Sequence, residues 1–172
     1  MAVANKDGSK KKVTATIKMS YLLYDIMNET FLRGRTLQNR ENHKEIASMF
    51  ASEDGENRDK ILRSIKKAWG EVQSELADYL NENGSNTNNR LTESDATTDL
   101  VLNLEMPSNF NEAATMGLGQ SVHDYIKNIT IAEWYIVTNK GDADDYLGMA
   151  ERSLGSIRVN SSKRARPQRP DD

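Results

Sequence analysis

The chain has 172 residues, no cysteine, a formal net charge of −3, 37% hydrophobic and 28% charged residues, and a mean hydropathy of −0.74. Lack of cysteine excludes disulfide frameworks, thiolate metal sites and cysteine nucleophiles, and the charge excludes a global pull toward nucleic acid or an anionic membrane. The length fits one domain with tails, and the polarity suits solvated ends and a surface partly covered on assembly.

Residues 1 to 11 are small, polar and lysine-rich, which predicts a flexible basic arm rather than a secretory signal. Val13, Ala15, Ile17 and Met19 alternate with Thr14, Thr16 and Lys18, which predicts a strand over 12–19. Ser20 is the expected N-cap of a first helix of about 14 residues, with a stripe at Leu23, Met27 and Phe31 and a stop at Gly34. The charged stretch that follows carries only a weak helical patch at Ile46, Met49 and Phe50.

A second helix is marked by Ile61, Ile65, Ala68 or Trp69, Val72, Leu76 and Tyr79, led in by Ser52, Glu53, Asp54 and Glu56. The asparagine-rich segment 81–89 reads as a loop. Leu100, Leu102, Leu104 and Met106 alternate over a second strand, 99–106, which Pro107 ends. Two strands alone are marginal. They require helices over one face, pairing with each other, or a strand from another subunit.

A long helix is expected over 111–138, with Leu118, Val122, Tyr125 or Ile126, Ile129 and Ala132 on its stripe. Trp134, Tyr135, Ile136 and Val137 predict a more buried C-terminal half, and Gly117 and Gly119 a kink or a close helix contact. A short turn at 139–141, with Asp142 as cap, leads into a last helix carrying Ala143, Tyr146 or Leu147, Ala150, Leu154 and Ile157, so the last two helices are expected to form an αα-hairpin. The end, 160–172, is an extended Arg/Pro tail. The fold class is therefore mainly α, four main helices with a small two-stranded β element, in which 12–159 is the folded domain.

Catalytic chemistry finds no foothold. His43 and His123 lack metal or triad spacing, and Gly117-Leu-Gly119 is no phosphate loop. The acids at 142–145 lack the glycine and terminal glutamate of a calcium loop. No catalytic, metal or cofactor-binding residue is expected, and the chain reads as a non-enzyme. No run approaches the roughly 18 apolar residues of a membrane span. The residues expected to meet a partner or DNA are the cations of the two ends: Lys10, Lys11 and Lys12, and Lys163, Arg164, Arg166 and Arg169. Phosphate contact by counterion release and docking on an acidic subunit are both open to them, and a solvated end is the plain alternative. Trp134 and Tyr135 are expected in the core or at an interface.

The stretch Leu102-Asn-Leu-Glu-Met-Pro-Ser-Asn-Phe-Asn111, followed by Val122-His-Asp-Tyr-Ile126, Ala132-Glu-Trp-Tyr135, Asn139-Lys-Gly-Asp142, Tyr146 and Ala150, resembles head–tail connector or neck adaptor proteins of tailed phages that infect Bacteroides-type hosts (the crAss-like phages). The likeness covers roughly residues 100–170, including the closing Lys-Arg-Ala-Arg-Pro. It implies a virion structural subunit, assembled in the host cytoplasm, in a ring of about a dozen copies between portal and tail around the DNA channel. Portal and adjacent neck or tail proteins would be its partners, with non-specific contact to packaged DNA and none to a membrane. A small helical DNA-associated or regulatory protein, or an assembly factor absent from the particle, is the alternative.

Overall fold

The structure, a computed structural model, describes residues 9–37, 47, 50–51, 55–81 and 98–167. The arm before residue 9, Ile46 and Met49, the lead-in at 52–54, most of the asparagine loop and Arg169 lie outside them. The described elements run β1 (Lys11–Ile17), α1 (Met19–Leu37), α2 (Gly55–Glu75), a 3-10 turn (Ala77–Tyr79), β2 (Leu100–Met106), a second 3-10 turn (Glu112–Ala114), α3 (Thr115–Thr138) and α4 (Lys140–Ser161). The protein is mainly helical with a small antiparallel sheet, and α3 and α4 form the expected hairpin.

The strands pair with each other and are also covered on one face. Val13 stands opposite Leu104, Ala15 opposite Leu102 and Ile17 opposite Leu100. All six are buried, because a period of two puts every apolar residue of both strands on one side. Their cover is α3, which faces them at Gly119, where a Cβ would lie an ordinary 3.7 Å from that of Ala15. Gly117 admits Asn160 of α4, 3.3 Å from a Cβ. Gly117 thus serves a close contact, whereas at Gly119 a side chain would find ordinary van der Waals distance. The far edge of β2 is closed by the chain leaving α2, where Asn81 N–H donates to the Asn103 carbonyl at 3.0 Å.

Four boundaries differ from expectation. Strand β1 ends at Ile17, and α1 starts at Met19, whose N–H donates to Asp99 Oδ1 at 3.1 Å. The cap of α1 is therefore supplied from the other strand, and Ser20 lies inside the helix. Gly34 does not stop α1; it is buried within the helix's last turn, and a Cβ there would overlap the Phe50 ring. The buried stripe of α1 is Leu22, Ile26 and Thr30, one residue earlier than expected. Third, α2 ends at Glu75, and Tyr79 belongs to the 3-10 turn. Finally, the α3–α4 turn is the single residue Asn139, whose Oδ1 accepts from Asp142 N–H at 3.3 Å, so Asn139 rather than Asp142 is the cap.

Trp134 and Tyr135 are buried as expected, but Ile136 and Val137 are 56% and 76% exposed. Helix α3 therefore keeps a solvent side to its end.

Acids and bases four residues apart on α1 join it to the hairpin. Asp25 meets His123 at 2.8 Å, Glu29 meets Lys127 at 2.8 Å, and Arg33 grips Asp142 through Nε at 2.8 Å and Nη2 at 2.6 Å. Tyr146 also donates to Glu29 at 3.0 Å. Spacing of four on one helix aligns side chains into a row, here matched by 123 and 127 on α3 and by 142 and 146 on α4. His123 is thus a satisfied structural histidine.

Candidate interaction surfaces

The cations of the two ends come together at one pole of the molecule. Lys11 Nζ donates to the Phe110 carbonyl at 2.9 Å and pairs with Glu112 at 3.2 Å. On the other side of that segment, Asn111 N–H donates to the Lys163 carbonyl at 3.2 Å and Ala165 N–H to Asn109 at 2.7 Å, so Phe110 and Arg164 form an isolated β-bridge. Phe110 is fully buried between them. The start of the tail is thus a short strand-like addition to 109–111, and α4 itself reaches Ser161.

Lys10 pairs with Glu105 at 3.5 Å and Lys12 faces solvent from β1. Lys163, Arg164 and Arg166 are all exposed. Arg164 Nη1 donates to the Ser161 carbonyl at 3.1 Å, which places a cation on the negative end of the α4 dipole. Among the described residues Glu105 and Glu112 pair with two of these six cations, so the pole is electropositive although the chain is net negative. Such a surface holds phosphates or carboxylates by charge. Among the described residues no aromatic ring lies over these cations, so that part of the pole offers no stacking platform for bases.

A second surface surrounds β1. Among the described residues β1 pairs with β2 alone. Its free edge borders a cleft of about 590 Å³ lined by Thr14, Ile17, Tyr21, Tyr24, Met116 and His123. Tyr21, Tyr24 and Met116 are 68%, 66% and 87% exposed. An unpaired strand edge flanked by exposed apolar side chains is suited to pairing with another chain.

A third surface lies between α2 and α3, a cleft of about 480 Å³ lined by Lys60, Arg63, Lys67, Thr130, Glu133 and Trp134. Glu133 accepts from the Ser64 hydroxyl and from Lys67 Nζ. That hydrogen bond raises the Lys67 pKa above its ordinary value and keeps the ammonium charged. Lys60 Nζ lies 5.0 Å over the Trp134 ring, a cation–π contact. Trp134 and Tyr135 are therefore core residues, one with its rim at this cleft. The sequence reading missed these α2 cations, although their spacing at 60, 63 and 67 places them on one helical side.

Among the described residues no three His, Asp or Glu side chains gather as metal ligands, and no helix is long and apolar enough to cross a membrane. No family model, curated protein or solved structure matches the chain.

Proposed function

We propose that the chain is a structural subunit of a larger assembly, a head–tail connector or neck ring protein of the phage type that its C-terminal half resembles. The observation that carries this reading is the convergence of Lys10, Lys11 and Lys12 with Lys163, Arg164 and Arg166 at one pole, bonded around Phe110. The described chain passes Phe110 both at Lys11 and at Lys163–Ala165, so both sets of cations can face one neighbour. The body fixes the geometry, and the pole meets an acidic neighbouring subunit or the phosphates of passing DNA. Contact of the second kind is non-specific, because phosphate contacts position a duplex without reading it.

The test is the protein composition of particles purified from the producing host. The chain is expected in them at the copy number of a ring, and a Lys163→Gln, Arg164→Gln, Arg166→Gln variant is expected to be incorporated several-fold less, as charge steering is lost. Absence of the chain from finished particles overturns the structural role. Absence combined with failure of particles to form without it identifies an assembly factor instead.

A further inference from the structure

The cleft between α2 and α3 contains a buried polar atom that no described residue satisfies. Thr130 lines it from α3, and only 1% of that residue is exposed. Its hydroxyl has no hydrogen-bond partner among the described residues. A helical threonine can donate to the carbonyl four residues back, as Thr138 does to Trp134 at 3.3 Å, but Thr130 does not. An unbonded buried hydroxyl costs free energy, because it has given up water without a replacement. Ser64, the other buried hydroxyl of the cleft, is taken up by Glu133.

Charge at the same cleft is unbalanced. Lys60, Arg63 and Lys67 border it from α2, all exposed. Glu133 is the carboxylate among the lining residues, and it holds Lys67. Asp59, Glu71 and Glu75 of α2 do not line it: Glu71 accepts from Tyr125, Glu75 pairs with Arg158, and Asp59 is exposed one turn before Arg63 without pairing to it. Lys60 and Arg63 therefore have no carboxylate partner among the described residues, and Lys60 rests over the Trp134 ring instead. The cleft presents two uncompensated cations and one unbonded hydroxyl, on walls that include buried Ile61 and the rim of Trp134.

We propose that this cleft binds a small phosphate monoester, whose phosphoryl oxygens accept from Lys60, Arg63 and the Thr130 hydroxyl. The class follows from charge and donor number. A phosphate monoester carries about two negative charges near pH 7 and three strong acceptor oxygens, which matches two free cations and three donors. A carboxylate brings a single charge and two oxygens. A nucleic-acid phosphodiester also brings a single charge per phosphate. The cleft, about 480 Å³, falls within the range of small-ligand pockets, so the carbon body of the ester has room against Ile61 and Trp134. Lys60 and Arg63 are long, exposed side chains that can part for an entering oxyanion, whereas Thr130 is fixed in α3. The site shares no residue with the basic pole and does not depend on the assembly reading.

The experiment titrates the full chain calorimetrically, at constant ionic strength, with phenyl phosphate, with benzoate as its singly charged counterpart and with a short DNA duplex as the diester. Phenyl phosphate is expected to saturate one site, and benzoate to bind at least about tenfold more weakly. Lys60→Gln with Arg63→Gln should raise the phenyl phosphate dissociation constant at least about tenfold. Thr130→Val should raise it several-fold, yet leave the urea midpoint equal or higher, because it removes a hydroxyl that is unbonded in the free chain. Weaker binding without weaker folding separates a ligand contact from damage to the body. Lys163→Gln with Arg164→Gln and Arg166→Gln, at the basic pole, should leave phenyl phosphate binding unchanged. Absence of saturable phenyl phosphate binding overturns the site, as does binding that survives both cleft variants. A lower midpoint for Thr130→Val would show that the hydroxyl is already satisfied, which also overturns it. Benzoate bound as tightly as phenyl phosphate, or duplex binding lost in the cleft variants, overturns the monoester assignment.

Discussion

Gly34 stands where a methyl group would press into Phe50, whose ring is also 5.3 Å from that of Phe31. Two effects compete on replacing it with alanine. Helix propensity favours the change by about 1 kcal/mol, while forcing extra volume into a packed contact costs about 1–3 kcal/mol. Because Gly34 is buried and the obstacle is an aromatic ring already held by another, crowding wins. Gly34→Ala is expected to lower the urea midpoint with the slope unchanged, and Phe50→Ala in the same background is expected to recover part of the loss. A rise in midpoint for Gly34→Ala alone would show that the ring moves aside freely. In the sequence this glycine reads as a helix stop, because the ring that makes it necessary is distant along the chain. The charges at 25, 29 and 33 stand at helical spacing in the sequence, but nothing in it announces their partners on α3 and α4.

Elements were legible where burial is strictly periodic. Leu100 to Met106 and Ile61 to Leu76 are buried at the positions their spacing marks, since one covered face imposes one period. Helix α1 was placed one residue out of phase because 22, 26 and 30 and 23, 27 and 31 share the same spacing, and Thr30 concealed the true stripe. Its hydroxyl is satisfied by the Met27 carbonyl at 3.0 Å, which lets it sit in the core. Helix ends were least legible, since Asp99 caps α1 from a distant strand. Asn139 is a local cap and its loss is measurable: Asn139→Ala is expected to cost about 1 kcal/mol of unfolding free energy. The candidate cations of both ends were legible as composition, but their meeting at Phe110 depends on backbone bonds that no pattern announces. A chain ended after Asn160 loses the bonds to Asn109 and Asn111 and uncovers Phe110. It is expected to be less stable by about 2–4 kcal/mol in urea titration, from two hydrogen bonds and an exposed ring. A chain ended after Pro167 keeps those contacts and is expected to match the full chain.

At the scale of the molecule, three buried tyrosines tie the helices together and set an alkaline limit. Tyr125 donates to Glu71 and so joins α3 to α2, Tyr146 donates to Glu29 and joins α4 to α1, and Tyr135 packs on Tyr146 at 5.7 Å between ring centroids. Burial, first of all, raises the phenol pKa of each: that of Tyr135 to about 12, those of Tyr125 and Tyr146 further. The facing carboxylates add to the shift, since a phenolate beside Glu71 or Glu29 would be repelled. Below about pH 10, the ordinary tyrosine value, folded and unfolded chains hold these protons equally, and the stabilising contribution is fully present. Above it the unfolded chain gives up protons that the folded chain keeps, so stability falls as pH rises toward the folded values. Loss of helix is therefore expected to coincide with a steep part of the tyrosinate absorbance change, at a pH well above 10. Tyr146→Phe removes one ionising group while keeping the ring against Tyr135, and is expected to move the alkaline midpoint upward at constant protein concentration. A midpoint that moves downward would mean that the bond to Glu29 outweighs the avoided ionisation. An absorbance change completed before any helix is lost would mean that the phenols are open to solvent and that the helices meet elsewhere.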